Sequence, residues 1–204
     1  MVEKMRELGR VKLTQLQPSG LIIETSSGYF YDASRLVVVD RLKITPLGIE
    51  AITPEGEQVL DIHHINHPDK AYDDDDLVCI GFTSHYDAMR DRFGDHMVEG
   101  FAGENIIIDF EEEVWPEDLG SHIGIENADT GQLAVFDMVS FAAPCQEFSH
   151  FAAQSQDDKL PPDTLKSILQ FLGNGRRGFL LVLNDIHDEV SVQPGDRVFT
   201  VRIG

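Results

Sequence analysis

The chain is short of cations: 16 Lys and Arg stand against 36 Asp and Glu in 204 residues, a formal net charge of -20. Such a surface repels a phosphate backbone and an anionic membrane, which excludes non-specific nucleic-acid binding. The acidity suits either solubility in a salty medium or a basic partner protein. Cysteine is scarce too, with Cys79 and Cys145 the only two. Two are too few for a disulfide scaffold and suit a reducing compartment. No apolar run reaches the roughly 18 residues of a membrane span. Met1 to Arg10 is charged, with no apolar centre, so no secretory signal is expected there and a cytoplasmic location is. A phosphate-binding loop, a dinucleotide glycine fingerprint and a nucleophile-elbow serine are all missing, and no lysine is marked out as a pyridoxal-phosphate site.

What is present is ordinary globular material, 42% hydrophobic and 25% charged. The length suits one domain spanning 1–204, and no composition shift divides it. Most of it reads as short strands between turns. Val11, Leu13 and Gln15 alternate with Lys12, Thr14 and Leu16. Leu21 to Thr25 and Tyr29 to Tyr31 follow, and Leu36 to Asp40 has the β-branched look of a buried strand. Ile49 to Ile52 and Gln58 to Ile62 flank a hairpin loop. Leu77 to Phe82, Ile106 to Phe110, Leu133 to Val139, Phe179 to Leu183, Glu189 to Val192 and Arg197 to Ile203 complete the set.

Two helices are expected. One is capped by Ser84 and ends at Gly94, with Met89 and Phe93 on one face. The other is capped by Asp163 and stopped by Gly173, with Leu165, Ile168, Leu169 and Leu172 on one stripe. The class is mainly β: a barrel or sandwich carrying a few short helices. Asp73 to Asp76 reads as an exposed acidic loop. Gln154 to Pro162, ending in two prolines, reads as a mobile connector.

Four groups of residues are candidates for chemistry. Cys79 sits inside the apolar Leu77 to Ile80 and suits a small inert hydrophobe. Cys145 follows a strand and Pro144 and precedes Gln146 and Glu147. There a thiol is reachable, and its thiolate needs a cation: Arg176, Arg177 or a histidine. Gly103-Glu104-Asn105 follows Val98 to Ala102 and is either a hydrogen-bonded turn or a ligand-orienting one. Gly175-Arg176-Arg177-Gly178 presents two guanidinium forks, for phosphate or carboxylate or for surface ion pairs. His63, His64 and His67, with Asp61, are a candidate metal set. Their spacing matches no closed zinc pattern, so an exposed loop is the alternative.

In order along the chain, Val39 to Glu50, Val98 to Ile106, Ala143-Pro144-Cys145-Gln146-Glu147-Phe148, and Gly175 to Phe179 with Val190 to Val198 resemble the MOSC domain. That domain is the C-terminal module of molybdenum cofactor sulfurases and also occurs as stand-alone bacterial proteins. The resemblance implies a β-barrel with a few helices and a role with sulfur and the molybdenum cofactor (molybdopterin). It implies Cys145 as the residue that carries a persulfide or meets the molybdenum. Gly103, Glu104, Asn105, Arg176 and Arg177 are then the residues to hold the cofactor. The pyridoxal-phosphate desulfurase domain of the fused relatives has no counterpart here, so a cysteine desulfurase would donate the sulfur. A molybdoenzyme or an electron-transfer protein would be the other partner. Two alternatives stand beside the sulfur carrier: a molybdenum-cofactor oxidoreductase module acting on N-hydroxylated compounds, and a non-catalytic binding barrel. The acidity, and Asp73 to Asp76 where an anion-binding barrel prefers basic residues, depart from the family pattern.

Overall fold

A computed structural model describes residues 2–26, 28–53, 55–70, 78–155, 159–184 and 186–204. The chain opens with β1 (Val2–Leu16), β2 (Ile22–Thr25), β3 (Gly28–Tyr31) and a 3-10 turn at Ala33–Arg35. Then come β4 (Val37–Val39), β5 (Leu42–Thr45), β6 (Gly48–Ile52), β7 (Gln58–Leu60) and β8 (Val78–Phe82). The middle holds α1 (Thr83–Phe93), β9 (Ile106–Asp109), α2 (Pro116–Leu119), β10 (His122–Glu126), β11 (Leu133–Phe141), α3 (Gln146–Ala152) and α4 (Pro162–Leu172). It closes with β12 (Phe179–Leu183), β13 (Val190–Val192) and β14 (Arg197–Ile203). Asp73 to Asp76 lies outside the described residues, as do Leu77 and part of the 154–162 connector.

Seven strands close on themselves in the order β14, β10, β11, β12, β8, β9, β1 and back to β14. The mainly β barrel with a few short helices is therefore the fold observed. Closure removes the free edges of these strands. Among the described residues only the β8–β9 pairing is parallel, and α1 supplies the crossover a parallel neighbour needs. β1 can serve β14 with its first half and β9 and β4 with its second because it bulges at Gly9. Gly9 has φ +101°, and a Cβ there would collide with the Asp109 carbonyl. A second sheet, β13-β5-β6-β7, and the β2–β3 hairpin sit beside the barrel.

Side-chain alternation makes two large cores and a small third one at Val135, Phe199 and Val201. Val78, Ile80 and Phe82 of β8 and Phe179, Leu181 and Leu183 of β12 point inward with Phe136, Ile123 and Val198. Ile107 of β9 points outward, to a second core with Tyr86, Met89, Phe148, Ala152, Ile168 and Leu172 beneath α1, α3 and α4. Cys79 and Gly81 alternate with the inward residues of β8, which sets them on its outer side.

Several local expectations are corrected. Leu36 to Asp40 is not a buried strand: β4 hangs outside the closed barrel on β1, and Val38 is 58% exposed. Ser84 does not cap α1. It lies within the first turn, its Oγ donating to the Glu112 carbonyl, and the N-cap is Phe82. α4 starts at Pro162, with Asp163 in its first turn, because proline at the first helical position needs no N–H partner. Among the described residues no helix is long and apolar enough to cross a membrane.

Candidate functional site

Three irregular segments meet on the outer wall of the barrel: 98–105 after α1, 142–145 before α3, and 175–178 before β12. Their turns need backbone that glycine supplies, with φ +100° at Gly103 and +107° at Gly178. At Gly178 a Cβ would lie 2.8 Å from both Cys79 Sγ and the Ile80 carbonyl, so this chain must pass the barrel wall bare.

The Gly103-Glu104-Asn105 turn is held from within. Gln15 Nε2 donates to the carbonyls of Gly100 (2.8 Å) and Glu104 (2.7 Å). Asn105 Oδ1 accepts from the Cys79 amide at 3.0 Å, and Asn105 Nδ2 donates to Asp61 Oδ2 at 3.0 Å. Both Glu104 and Asn105 are buried, at 0% and 4% exposure, so neither offers surface to a bound molecule. The hydrogen-bonded turn is what these residues build. Glu104 Oε2 accepts from Tyr86 Oη at 2.7 Å, while Oε1 is buried without a hydrogen-bond partner among the described residues. Burial pushes the Glu104 carboxyl up to about 7, against the pull of the Tyr86 hydroxyl.

Cys145 is the N-cap of α3, half-buried, and its Sγ accepts from the Phe148 amide at 3.4 Å. Arg177 supplies the cation that a thiolate needs. Its Nη1 lies 3.7 Å from Cys145 Sγ and donates to the Ala143 carbonyl at 3.0 Å. Its Nη2 donates to the Ala102 carbonyl at 3.0 Å, and its guanidinium lies over the Phe148 ring, 4.5 Å from the centroid. One side chain thus ties all three segments together. Burial opposes the charge on Arg177, but Tyr31, Cys145 and Glu104 around it outweigh that and raise its pKa.

The two neighbouring arginines part company. Arg176 Nη1 donates to the Phe171 carbonyl at 2.6 Å and Nη2 pairs with Glu113. Its guanidinium stacks over Phe171 and Trp115. Arg177 shares a site with Cys145, and Arg176 braces α4. The cysteines differ likewise. Cys79 lies against Gly178 and Glu104, and burial pushes its thiol well up, out of reach of neutral pH.

The histidines do not converge. His63 Nδ1 is 2.8 Å from Asp61 Oδ1, His64 Nδ1 accepts from the Asn66 amide at 3.1 Å, and His67 Nε2 is 3.1 Å from the Pro18 carbonyl. Among the described residues no group of three or more His, Cys, Asp or Glu is placed to hold a metal ion. The expected metal set is therefore a string of turns, and its firmest member is Asp61, fully buried and also accepting from the Gln17 amide at 2.8 Å.

Sequence reasoning passed over Tyr31, Tyr86, Gln15 and the whole of α3. A signal for α3 exists in the spacing of Phe148, Phe151 and Ala152, though seven residues give too little periodicity to stand out. Tyr86 sits three before Met89, on the buried face of α1. Tyr31 donates to the Phe101 carbonyl at 2.9 Å and packs on Phe148, centroids 5.0 Å apart.

A family model described as the MOSC domain matches residues 67–199. YuaD from Bacillus subtilis shares the fold, at 11% identity and a TM-score of 0.58, over 100% of both chains. A solved structure titled only as a hypothetical protein matches at 18% identity and a TM-score of 0.54, covering 99% of this chain and 71% of its own. YiiM from Geobacillus stearothermophilus matches more loosely, at 19% identity and a TM-score of 0.43, over 80% of this chain and 74% of its own. Among curated proteins none matches the chain.

Proposed function

Because this chain belongs to the MOSC domain family, we propose that it is a sulfur carrier or sulfurtransferase linked to the molybdenum cofactor, with Cys145 as the working thiol. The observation that carries the reading is Arg177 Nη1 standing 3.7 Å from the half-buried Cys145 Sγ, beside the Phe148 N–H. A thiolate, not a thiol, is the nucleophile, and a guanidinium with a backbone N–H stabilises it. MOSC domains are associated with molybdenum cofactor binding or sulfur transfer in general, and a thiol beside a guanidinium suits the second.

The step is a transpersulfidation. The Cys145 thiolate attacks the terminal sulfur of a persulfide on a donor protein, a cysteine desulfurase in this reading. A new S–S bond forms at Cys145, the donor's S–S bond breaks, and the donor cysteine leaves as thiolate. Nothing is oxidised or reduced overall. Arg177 then faces a persulfide anion in place of a thiolate.

A resident molybdenum cofactor needs a soft donor for the metal and cations for its phosphate. Cys145 offers the first. The second is not assembled, since Arg176 is taken up by Glu113 and the Phe171 carbonyl, and Arg177 by two carbonyls. The residues do not make a full seat for the cofactor, which enters this reading as the acceptor of the sulfur.

The test is sulfur loading from a cysteine desulfurase and cysteine into three proteins. The parent and Cys79→Ser load, and Cys145→Ser does not. Equal loading in all three overturns the reading in favour of the oxidoreductase module or the binding barrel.

A further inference from the structure

A line of hydrogen bonds leads inward from the thiol, interrupted at Ala102, whose carbonyl and amide belong to different peptide groups. Arg177 Nη1 faces Cys145 Sγ, and Arg177 Nη2 donates to the Ala102 carbonyl. The Ala102 amide donates to Tyr86 Oη at 3.0 Å, and that hydroxyl donates to Glu104 Oε2 at 2.7 Å. The carboxyl at the inner end is fully buried, with Oε1 unpartnered. It is wedged between two glycines: a Cβ at Gly81 would lie 2.7 Å from Oε1, and one at Gly178 would lie 3.0 Å from Glu104 Cγ. A carboxyl placed at that depth without a full set of donors is costly as a structural feature.

Six titratable groups besides Arg177 face this seam: Cys79 from β8, Tyr86 from α1, Tyr31 from β3, Glu104 from the turn before β9, Cys145 before α3, and the buried Asp61, which accepts from Asn105 Nδ2 and acts on Cys79. Burial pushes Cys79, Tyr31 and Tyr86 up and holds them neutral. The half-buried Glu147, in the first turn of α3, lies two residues past the thiol. Arg177 is the cation of this seam, and Glu104 and Cys145 both act on it.

We propose that Glu104 tunes the Cys145 thiol from behind Arg177, the two acids competing for a single guanidinium, so that the thiolate forms most readily when Glu104 is protonated. Glu104 is a positioning residue in this scheme and touches no substrate. The inference rests on Cys145 being the reactive thiol of the proposed function and names how that thiol is regulated. Like charges sharing one low-dielectric site titrate together, so thiolate formation at Cys145 draws a proton onto Glu104, and the profile of either group is spread over more than one step.

The experiment is the pH dependence of iodoacetamide alkylation, read by mass spectrometry on the peptide that carries Cys145. In the parent the rate rises over a broader pH range than one proton gives. Glu104→Gln, which keeps the shape and the Tyr86 contact, sharpens the profile to one step, moves it to lower pH, and raises the rate at pH 7 about threefold or more. Tyr86→Phe removes a bond to the ionised carboxylate, keeps Glu104 protonated to higher pH, and shifts the profile the same way by less. Tyr86→Phe decides the matter if Glu104→Gln does not fold. A folded Glu104→Gln with the parental profile, or a slower Cys145, overturns the inference. Alkylation requires no sulfur donor, so a protein that fails to load sulfur yet shows these shifts loses the proposed function and keeps the coupling.

Discussion

The inside of the barrel and the seam on its outer wall are built partly from the same strands and come out opposite in chemistry. Inside, β8 and β12 contribute Val78, Ile80, Phe82, Phe179, Leu181 and Leu183, with no polar atom among their side chains. Outside, one residue over, β8 contributes Cys79 and Gly81, and the chain leading into β12 contributes Arg177 and Gly178. The interior needs little beyond apolar volume. The seam buries a carboxyl, a guanidinium and two phenols, each tolerated through a bond to backbone or to another member. The stability of the fold rests on the first region. Among the described residues, Glu104 Oε1 and Arg177 Nε of the second region are buried without a hydrogen-bond partner, as are His85 Nδ1 and Arg176 Nε nearby.

The largest break in this contrast should come from the interior. Phe136 is fully buried in the barrel. Phe136→Ala should cost about 3–5 kcal/mol in urea denaturation while the folded fraction keeps its Cys145 alkylation rate. At the border, Gly178→Ala should hurt both regions. Its φ of +107° and the clash with Cys79 Sγ and the Ile80 carbonyl should cost about 2–4 kcal/mol and slow alkylation at Cys145 by displacing Arg177.

The seam alone should show in pH dependence. Burial pushes the Glu104 carboxyl up from the ordinary 4.5 to about 7. A carboxyl raised in this way favours the folded state fully below 4.5, and that contribution is lost as pH rises through 7. The stability of the parent relative to Glu104→Gln should therefore fall between pH 4.5 and 7, by about 3 kcal/mol at most. A difference independent of pH would place the Glu104 carboxyl in water instead. The last prediction separates the arginines by reactivity. Arg177→Gln should lower Cys145 alkylation at pH 7 about tenfold, and Arg176→Gln should leave it unchanged.

How much of this was legible in the sequence follows from the reach of each signal. The strands of the barrel are short apolar or alternating runs of four or more residues, and the sequence shows nearly all of them. β10 was passed over because His122-Ile123-Gly124-Ile125-Glu126 is short and glycine-broken. β4 was misjudged because three valines look buried wherever they sit, and only closure of the barrel leaves Val38 outside. Cys145 was legible as a thiol at a strand end, and its need for a cation followed from thiol chemistry. Which arginine meets that need was not legible. Arg176 and Arg177 are adjacent, and the choice depends on Phe171, Glu113 and Trp115 claiming the first. The turn around Glu104 is visible in its glycines, and both a hydrogen-bonded and a ligand-orienting role fit it; the burial of the side chain between Gly81 and Gly178 depends on contacts far apart in sequence.

The central claim is that Cys145 accepts sulfur, and peptide mapping by mass spectrometry after incubation with a cysteine desulfurase and cysteine tests it most directly. The account predicts a gain of one sulfur atom on the peptide carrying Cys145 and none on the peptide carrying Cys79. Sulfur on Cys79, or no gain on either while Cys145 still reacts with iodoacetamide, would contradict it.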